Sequence, residues 1–238
     1  VRNGRKQLGD WSMIPLYVGF DPRETVAYHV FSQSVIENCS TPIAIQPLAL
    51  HMLKDYNETH TDGSNAFIYS RFLIPHLQSY NGWAIFCDGD MVCLVDISKL
   101  WEMRDETKAV MVVKHNYKPK NKRKYIGTSM ETINQEYPRK NWSSVMLWNC
   151  SHPSNRVLTP NYVMASTGDV LHKFKHLGDD EIGDLPKEWN HLVTEQEPND
   201  QAKLLHYTLG VPGISYYSKC DRSDDWFRAH AAMLHLSV

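Results

Sequence analysis

Ala84-Ile85-Phe86-Cys87-Asp88-Gly89-Asp90-Met91-Val92 joins an apolar run to two carboxylates separated by one glycine. A short apolar run of this kind reads as a buried strand. Side chains two apart on extended backbone point to the same face, so Asp88 and Asp90 converge on one point. Like charges held that close repel unless a cation or a shared proton lies between them. Gly89 has no Cβ, which leaves room for a ligand to approach the backbone between them. Carboxylate oxygens on one side of a divalent ion leave its other positions to water and phosphate oxygens. The plainer alternative is a strand end that runs into a polar loop.

Upstream, Ile14-Pro15-Leu16-Tyr17-Val18-Gly19 reads as a first strand, with its proline near the start where a missing donor is tolerated. Asp21-Pro22-Arg23-Glu24 follows as a helix start: Asp21 caps, Pro22 takes the first helical position and Glu24 completes a capping box. Val26, Ala27, Val30, Phe31, Ser34 and Val35 then form the inward face of the helix. With Ile43-Ala44-Ile45 as the next strand, the chain opens as a β-α-β unit, which predicts a parallel α/β sheet. Ligands of such sheets bind beyond the carboxyl ends of the strands, where Gly19, Phe20 and Asp21 stand. No G-x-G-x-x-G is present, so a dinucleotide fingerprint is missing. Residues 64–74 read as a capped helix that Pro75 interrupts or kinks. Arg71 sits there among large apolar residues. Drawn inward, its planar fork needs an anion such as a diphosphate; left outside, it lies over the core with its charge in water.

Downstream, Asp96 or Ser98 starts a short helix through Trp101, and residues 109–113 form another apolar strand. Residues 114–124 are densely basic, with Tyr117 and Pro119 interleaved and Tyr125 following. Such a loop can cover phosphates, although simple solvation is the first expectation for a charge run. Residues 142–149 read as a strand, residues 169–176 as a helix and residues 178–184 as an acidic turn. Asn199 or Asp200 caps a segment leading to Leu204-Leu205-His206-Tyr207, which Gly210 to Gly213 breaks. By itself His206 reads as a structural histidine. Residues 224–236 close the chain as a helix.

The 238 residues suffice for one large domain or two small ones. A formal net charge of −2 argues against bulk nucleic-acid binding, and no apolar run is long enough to span a bilayer. No secretory signal pattern opens the chain, and residues 1–12 read as a polar leader or linker before Met13. Five cysteines, odd in number and without a C-x-x-C pair, suit free thiols in a reducing compartment, hence a cytoplasmic protein.

Taken together, these segments resemble the metal-dependent glycosyltransferases with the GT-A fold, nearest to glycosyltransferase family 8. The marks are Val18-Gly19-Phe20-Asp21, Tyr69-Ser70-Arg71-Phe72-Leu73-Ile74-Pro75, Asp88-Gly89-Asp90 and Leu205-His206-Tyr207-Thr208-Leu209-Gly210, in that order. The resemblance implies a single α/β domain over residues 13–238, with a mixed, mainly parallel sheet flanked by helices. Its nucleotide-binding half would span about 13–100 and its sugar and acceptor half about 101–238. Asp88 and Asp90 would hold Mn²⁺ or Mg²⁺ with His206 as third ligand, a nitrogen donor tilting the preference to Mn²⁺. Val18, Gly19, Phe20 and Asp21 would cradle the nucleoside, and Gly89 would lie against the metal-bound diphosphate. Arg71 would contact the diphosphate or donor sugar, and Gly210 would offer a backbone donor to phosphate. Asn141, Ser143 and Ser144 would line the donor-sugar pocket, with Asp179 and Asp180 near it as candidate catalytic carboxylates.

The implied substrates are a nucleoside diphosphate sugar, with UDP expected as the nucleotide, and a glycan or other hydroxyl acceptor. Anomeric configuration would be retained. The chain departs from the family in two places. Gly210-Val211-Pro212-Gly213 lacks the family's lysine and Pro-Trp pair, which leaves phosphate neutralisation to Arg71, Lys219 or the basic loop. Asn141-Trp142-Ser143-Ser144 replaces the usual Asn-x-Gly, so donor-sugar specificity does not carry over. Two other readings are a haloacid-dehalogenase-type phosphatase with Asp88 as nucleophile, and a noncatalytic sugar-nucleotide-binding domain.

Overall fold

A computed structural model describes residues 13–235; the expected leader lies outside the described residues. Strand β1 (Ile14–Gly19) is connected through helix α1 (Thr25–Asn38) to β2 (Ile43–Leu48), and the two strands pair in parallel. A 3₁₀ turn, Ser70–Leu73, continues into the short helix α2 (Ile74–Leu77). Strand β3 (Trp83–Cys87) then lies parallel to β1 on its other side, and Asp88-Gly89-Asp90 turns the chain into β4 (Met91–Cys93). Helix α3 (Ser98–Trp101) and strand β5 (Val110–Val112) follow. Strands β6 (Arg123–Lys124) and β7 (Thr132–Ile133) form an antiparallel pair within the basic region. Strand β8 (Val145–Asn149) inserts antiparallel between β3 and β5. Helices α4 (Pro160–Ala165) and α5 (Gly168–His172) lead to β9 (Ile182–Asp184). Strands β10 (His191–Leu192) and β11 (Leu204–His206) build a small sheet on β4, and helix α6 (Ser223–Met233) packs against α1.

The main sheet runs β2-β1-β3-β8-β5-β9, and only β8 is reversed. Both faces are covered. Along β3, Ala84 and Phe86 join one core with Tyr17, Phe72 and Trp148, while Ile85 and Cys87 join another with Leu16, Val18 and Phe31. That alternation is the period of two expected of a strand, applied here with apolar residues on both faces. The carboxyl ends of β1, β3, β5 and β9 share one edge, because Val18 is level with Cys87, Cys87 with Val145, and Val112 with both Met146 and Asp184.

Several local expectations are corrected. Helix α1 begins at Thr25, with no side-chain cap on its first turn, because the Asp21 carboxylate is turned to Arg23 and Ala66 instead. Val26 is consequently exposed, whereas Ala27, Val30, Phe31, Ser34 and Val35 face the core as expected. Pro75 does not break a helix: it occupies the first turn of α2, where its missing N–H costs nothing. The helix expected over residues 169–176 is shorter, starting from the Thr167 cap. Gly89 is buried, and a Cβ there would stand 2.5 Å from the Gly19 carbonyl oxygen. The close approach it permits is therefore of β1 backbone rather than of a ligand. All five cysteines are free. Among the described residues no helix is long and apolar enough to cross a membrane.

Candidate active site

Three elements deliver the central side chains. Asp88 follows β3, Asp90 precedes β4, and His206 ends β11 opposite Met91. The backbone of Tyr207 donates to the Asp90 carbonyl at 2.9 Å, which brings the histidine beside the carboxylates. Asp88, Asp90 and His206 each present a ligand atom within 4.8 Å of the others, and all three residues are buried. His206 Nε2 lies 3.3 Å from Asp90 Oδ1 and 3.8 Å from Asp88 Oδ2. Its other nitrogen, Nδ1, lies 2.9 Å from Asn190 Oδ1. The Asn190 amide is itself oriented, since Nδ2 donates to Ser144 Oγ at 2.8 Å and to the Asn141 carbonyl at 3.2 Å. Asn190 therefore presents its oxygen to His206, places the ring proton on Nδ1 and turns the Nε2 lone pair towards the two carboxylates.

This arrangement is unfavourable without positive charge. Burial pushes the Asp88 carboxyl up to about 6; Arg71 opposes that rise and Asp90 adds to it. Arg71 is itself buried, donates from Nη1 to the Ser143 carbonyl at 3.0 Å, and lies near the Phe67 and Phe86 rings. Its guanidinium was drawn inward, and the nearest anion is Asp88, with Nη1 2.7 Å from Oδ1. The contact is close but poorly directed, so Oδ1 of Asp88 has the guanidinium charge beside it without a hydrogen bond; Oδ1 of Asp90 is also buried without a hydrogen-bond donor. Two buried carboxylates with incomplete hydrogen bonding and one imidazole nitrogen suit a divalent cation.

Sequence reasoning missed several neighbours. Glu24 has an enclosed Oε1 without a partner, and burial, reinforced by Asp90, pushes its carboxyl up. Lys124, from β6, donates to Ser64 Oγ at 2.8 Å; burial pulls its ammonium down while Asp90 and Asp88 hold it up. Solvation was the first expectation for the basic run, yet its last residue turns inward. A narrow cavity of about 40 Å³ is lined by Arg71, Asp88, Asp90, Lys124, His206 and Thr208, among others. Asn141, Ser143 and Ser144 also line it. Ser143 Oγ lies 2.7 Å from Nδ1 of the buried His172. A wider cleft of about 500 Å³ shares Ser64, Ile68, Lys124, Tyr137 and His172 with this cavity.

The remaining candidates divide. Val18 and Gly19 lie at the end of β1, where a Cβ on Gly19 would meet the Phe67 ring at 2.3 Å. Phe20 packs edge-on against Tyr28 at 5.5 Å. Asp21 is on the same edge but fully engaged, accepting from Arg23 N, Nε and Nη2 and from Ala66 N at 2.6–2.9 Å. Gly210 lines neither cavity, and its N–H already donates to the Tyr207 carbonyl at 2.8 Å, which corrects its expected role as a phosphate donor. Asp179 and Asp180 do not join the site either. They precede Ile182, which pairs with Val110 at the amino end of β5, so they stand at the opposite edge of the sheet. Asp179 is exposed and bonded to Arg139. Lys219 is exposed as well.

Fold and site together define a glycosyltransferase of the GT-A class. Residues 23–147 match the model of glycosyl transferase family 8. Protein CDI of Arabidopsis thaliana is 41% identical over 220 residues, which cover 89% of this chain and 83% of that protein. Among solved structures, the WbbM bifunctional glycosyltransferase superposes with a TM-score of 0.63 at 14% identity, over 92% of this chain and 50% of its own. This chain thus spans half the length of that enzyme. Mouse xyloside xylosyltransferase 1 gives a TM-score of 0.54 at 10% identity, covering 83% of this chain and 98% of its own. The galactosyltransferase LgtC, solved with donor and acceptor sugar analogues, gives 0.52 at 11% identity, with 92% and 96% covered. The chain belongs to glycosyltransferase family 8, which sets the phosphatase alternative aside.

Proposed function

We propose that the protein transfers a sugar from a nucleoside diphosphate sugar, of the UDP class, to a hydroxyl of a glycan or similar acceptor. The observation that carries this reading is the buried cluster of Asp88, Asp90 and His206, whose ligand atoms lie within 4.8 Å of one another, with the donorless Oδ1 of Asp90 3.3 Å from Nε2 of His206. These three residues would hold Mn²⁺ or Mg²⁺, the imidazole favouring Mn²⁺. When bound, the ion supplies charge neutralisation for the departing diphosphate. Arg71 and Lys124 add fixed positive charge on the same cavity, which supports a role in stabilising that leaving group. The β1 end, with Val18, Gly19 and Phe20, would take the nucleoside, with the Asp21–Arg23 pair holding the loop behind it. Asn141, Ser143 and Ser144 lie across the metal ligands on the β8 side and would face the sugar. Among the described residues no carboxylate besides Asp88 and Asp90 lines the narrow cavity, which favours attack assisted by the leaving phosphate and thus retention. The free thiols support a cytoplasmic setting.

A thermal-shift titration with UDP and UDP-sugars, with and without Mn²⁺, tests the reading. A ligand at about 100 times its Kd stabilises the native state by about 2.7 kcal/mol, so a shift of several degrees is expected. The shift should require the metal and vanish in Asp90→Asn. No shift with any nucleotide would overturn the proposal. Binding without transfer to any acceptor would favour the noncatalytic alternative.

A further inference from the structure

The basic run divides in the fold. Lys118, Lys120, Lys122 and Arg123 are exposed, whereas Lys124 turns inward onto the narrow cavity beside Asp88 and Asp90. Among the described residues two cationic side chains line that cavity. Arg71 is engaged with Asp88 and the Ser143 carbonyl, while Lys124 donates to the Ser64 hydroxyl alone. Which residue of the run turns inward is a matter of register. Strand β6 has only Arg123 and Lys124, level with Ile133 and Thr132 of β7. Neighbours on a strand point to opposite faces, so a slip by one position would put Arg123 inside and Lys124 in water. A two-stranded ribbon this short is not stable by itself.

Glu195 supplies what the ribbon lacks. It is 2% exposed, and both of its oxygens accept from the base of the hairpin. Oε2 accepts from Lys120 N at 2.8 Å; Oε1 accepts from Asn121 N at 3.3 Å, Asn121 Nδ2 at 3.0 Å and Asn134 Nδ2 at 3.4 Å. These residues lie on both arms, just before β6 and just after β7. Asn134 ties the arms further, donating from N to the Lys122 carbonyl and from Nδ2 to the Asn121 carbonyl, each at 2.9 Å. A carboxylate suits this place because both oxygens accept; an amide would turn a donor to one set of N–H groups. On its other side, Glu195 N donates to the Leu192 carbonyl at 3.2 Å, and Leu192 is level with His206. The clamp thus stands on the strand pair that carries His206, while Glu195 itself lines neither cavity.

We infer that Glu195 is a positioning residue: it fixes the register of the β6–β7 hairpin and thereby sets the Lys124 ammonium against the diphosphate of the donor. The inference rests on the sugar-nucleotide reading above and deepens it.

Isothermal titration calorimetry on the full chain measures Mn²⁺ alone, and then UDP in the presence of Mn²⁺. Lys124→Met should weaken UDP by about 10-fold or more, the size expected of a charge-assisted contact. Glu195→Ala should reproduce most of that loss. Glu195→Gln, which keeps one accepting oxygen, should show a smaller part of it. Neither should change the affinity for Mn²⁺ alone. In the Lys124→Met background both Glu195 substitutions should have no further effect on UDP, because their effect passes through Lys124. Glu197→Gln removes only an exposed partner of Lys120 and should bind UDP as wild type does. If Glu195→Ala does not fold, the Glu195→Gln cycle decides alone. Failure of the wild-type protein to bind UDP would sink the underlying reading, whatever Glu195 does. With UDP binding intact, losses that multiply in the double variant would overturn the assignment of Glu195 alone. So would a fall in Mn²⁺ affinity in Glu195→Gln, or wild-type UDP affinity in Lys124→Met or in the Glu195 variants.

Discussion

Asp21 and Asp88 follow adjacent parallel strands and stand at the same edge of the sheet, yet their surroundings are opposite. Burial disfavours the charged form of Asp21, but hydrogen bonds from Arg23 and Ala66 outweigh it and hold its carboxyl below the usual range. Burial acts on Asp88 too, and there the poorly directed Arg71 and the neighbouring Asp90 leave it pushed up to about 6. One carboxylate is complete within the protein. The other has burial and a like-charged neighbour set against a single guanidinium contact. Position beyond a strand end thus marks a place where ligands bind, and hydrogen-bond completeness then separates the residues that build the place from those that use it.

Matched substitutions give the sharpest break in the comparison. On the proposed reading Asp90→Asn should lower transfer activity by about 1000-fold or more, since it would remove a metal ligand and charge where the leaving group needs neutralising. Its metal-free stability should hold or rise, because a buried like-charge pair is relieved. Asp21→Asn should do the reverse. It retains one acceptor but loses the charge that Arg23 and Ala66 N–H complete, a loss of about 2–3 kcal/mol in denaturant unfolding. Its transfer rate, measured below its melting temperature, should change far less than that of Asp90→Asn. Equal stability losses in the two variants would erase the distinction.

The same contrast predicts opposite pH slopes for the metal-free protein. Asp88 keeps its proton in the folded chain to about pH 6, whereas the unfolded chain releases it near the ordinary carboxylate value. Between about pH 4 and 6 the native state therefore binds more protons, and this residue makes stability fall as pH rises, by an amount on the order of 2–3 kcal/mol. Asp21, held low, contributes stability above the ordinary value and loses it as pH falls through its folded value. Unfolding curves for wild type and Asp88→Asn from pH 4 to 7 isolate the first slope. It should disappear in the variant, and saturating Mn²⁺ should reverse it in the wild-type protein.

The parts legible in the sequence were those written locally. The apolar run ending in Asp88-Gly89-Asp90, the first strand and the inward face of α1 each carry their signal within a few residues. Arg71 was legible as a question of burial, and the fold answered it. Asp179 and Asp180 misled because an acidic turn reports its own chemistry but not its sheet edge. Since β9 runs parallel to β5, its lead-in lies away from the site. Lys124 was legible only as the end of a basic run and His172 carries no local pattern; β6 and α5 bring the two to one cleft. Asn190 is the clearest omission, because its role exists only through His206, sixteen positions on and one strand across.

Asn190 also supplies the smallest of these expected effects and the most specific. Its oxygen fixes the His206 tautomer, while its amide protons anchor it to Ser144 and Asn141, so it couples the Asp88–Asp90–His206 cluster to the β8 wall. Loss of such an orienting partner costs about 10–100-fold in metal affinity. Asn190→Ala should therefore weaken Mn²⁺ binding by that factor in the absence of nucleotide. Asn190→Asp keeps an acceptor for the His206 Nδ1 proton but loses both anchoring donors, so it should recover part of the affinity. A role confined to packing would lower the melting temperature in both variants and leave the metal affinity of the folded protein alike in each. A graded loss, alanine below aspartate below wild type, would show that the completed hydrogen bonds around His206 set the incomplete ones it offers.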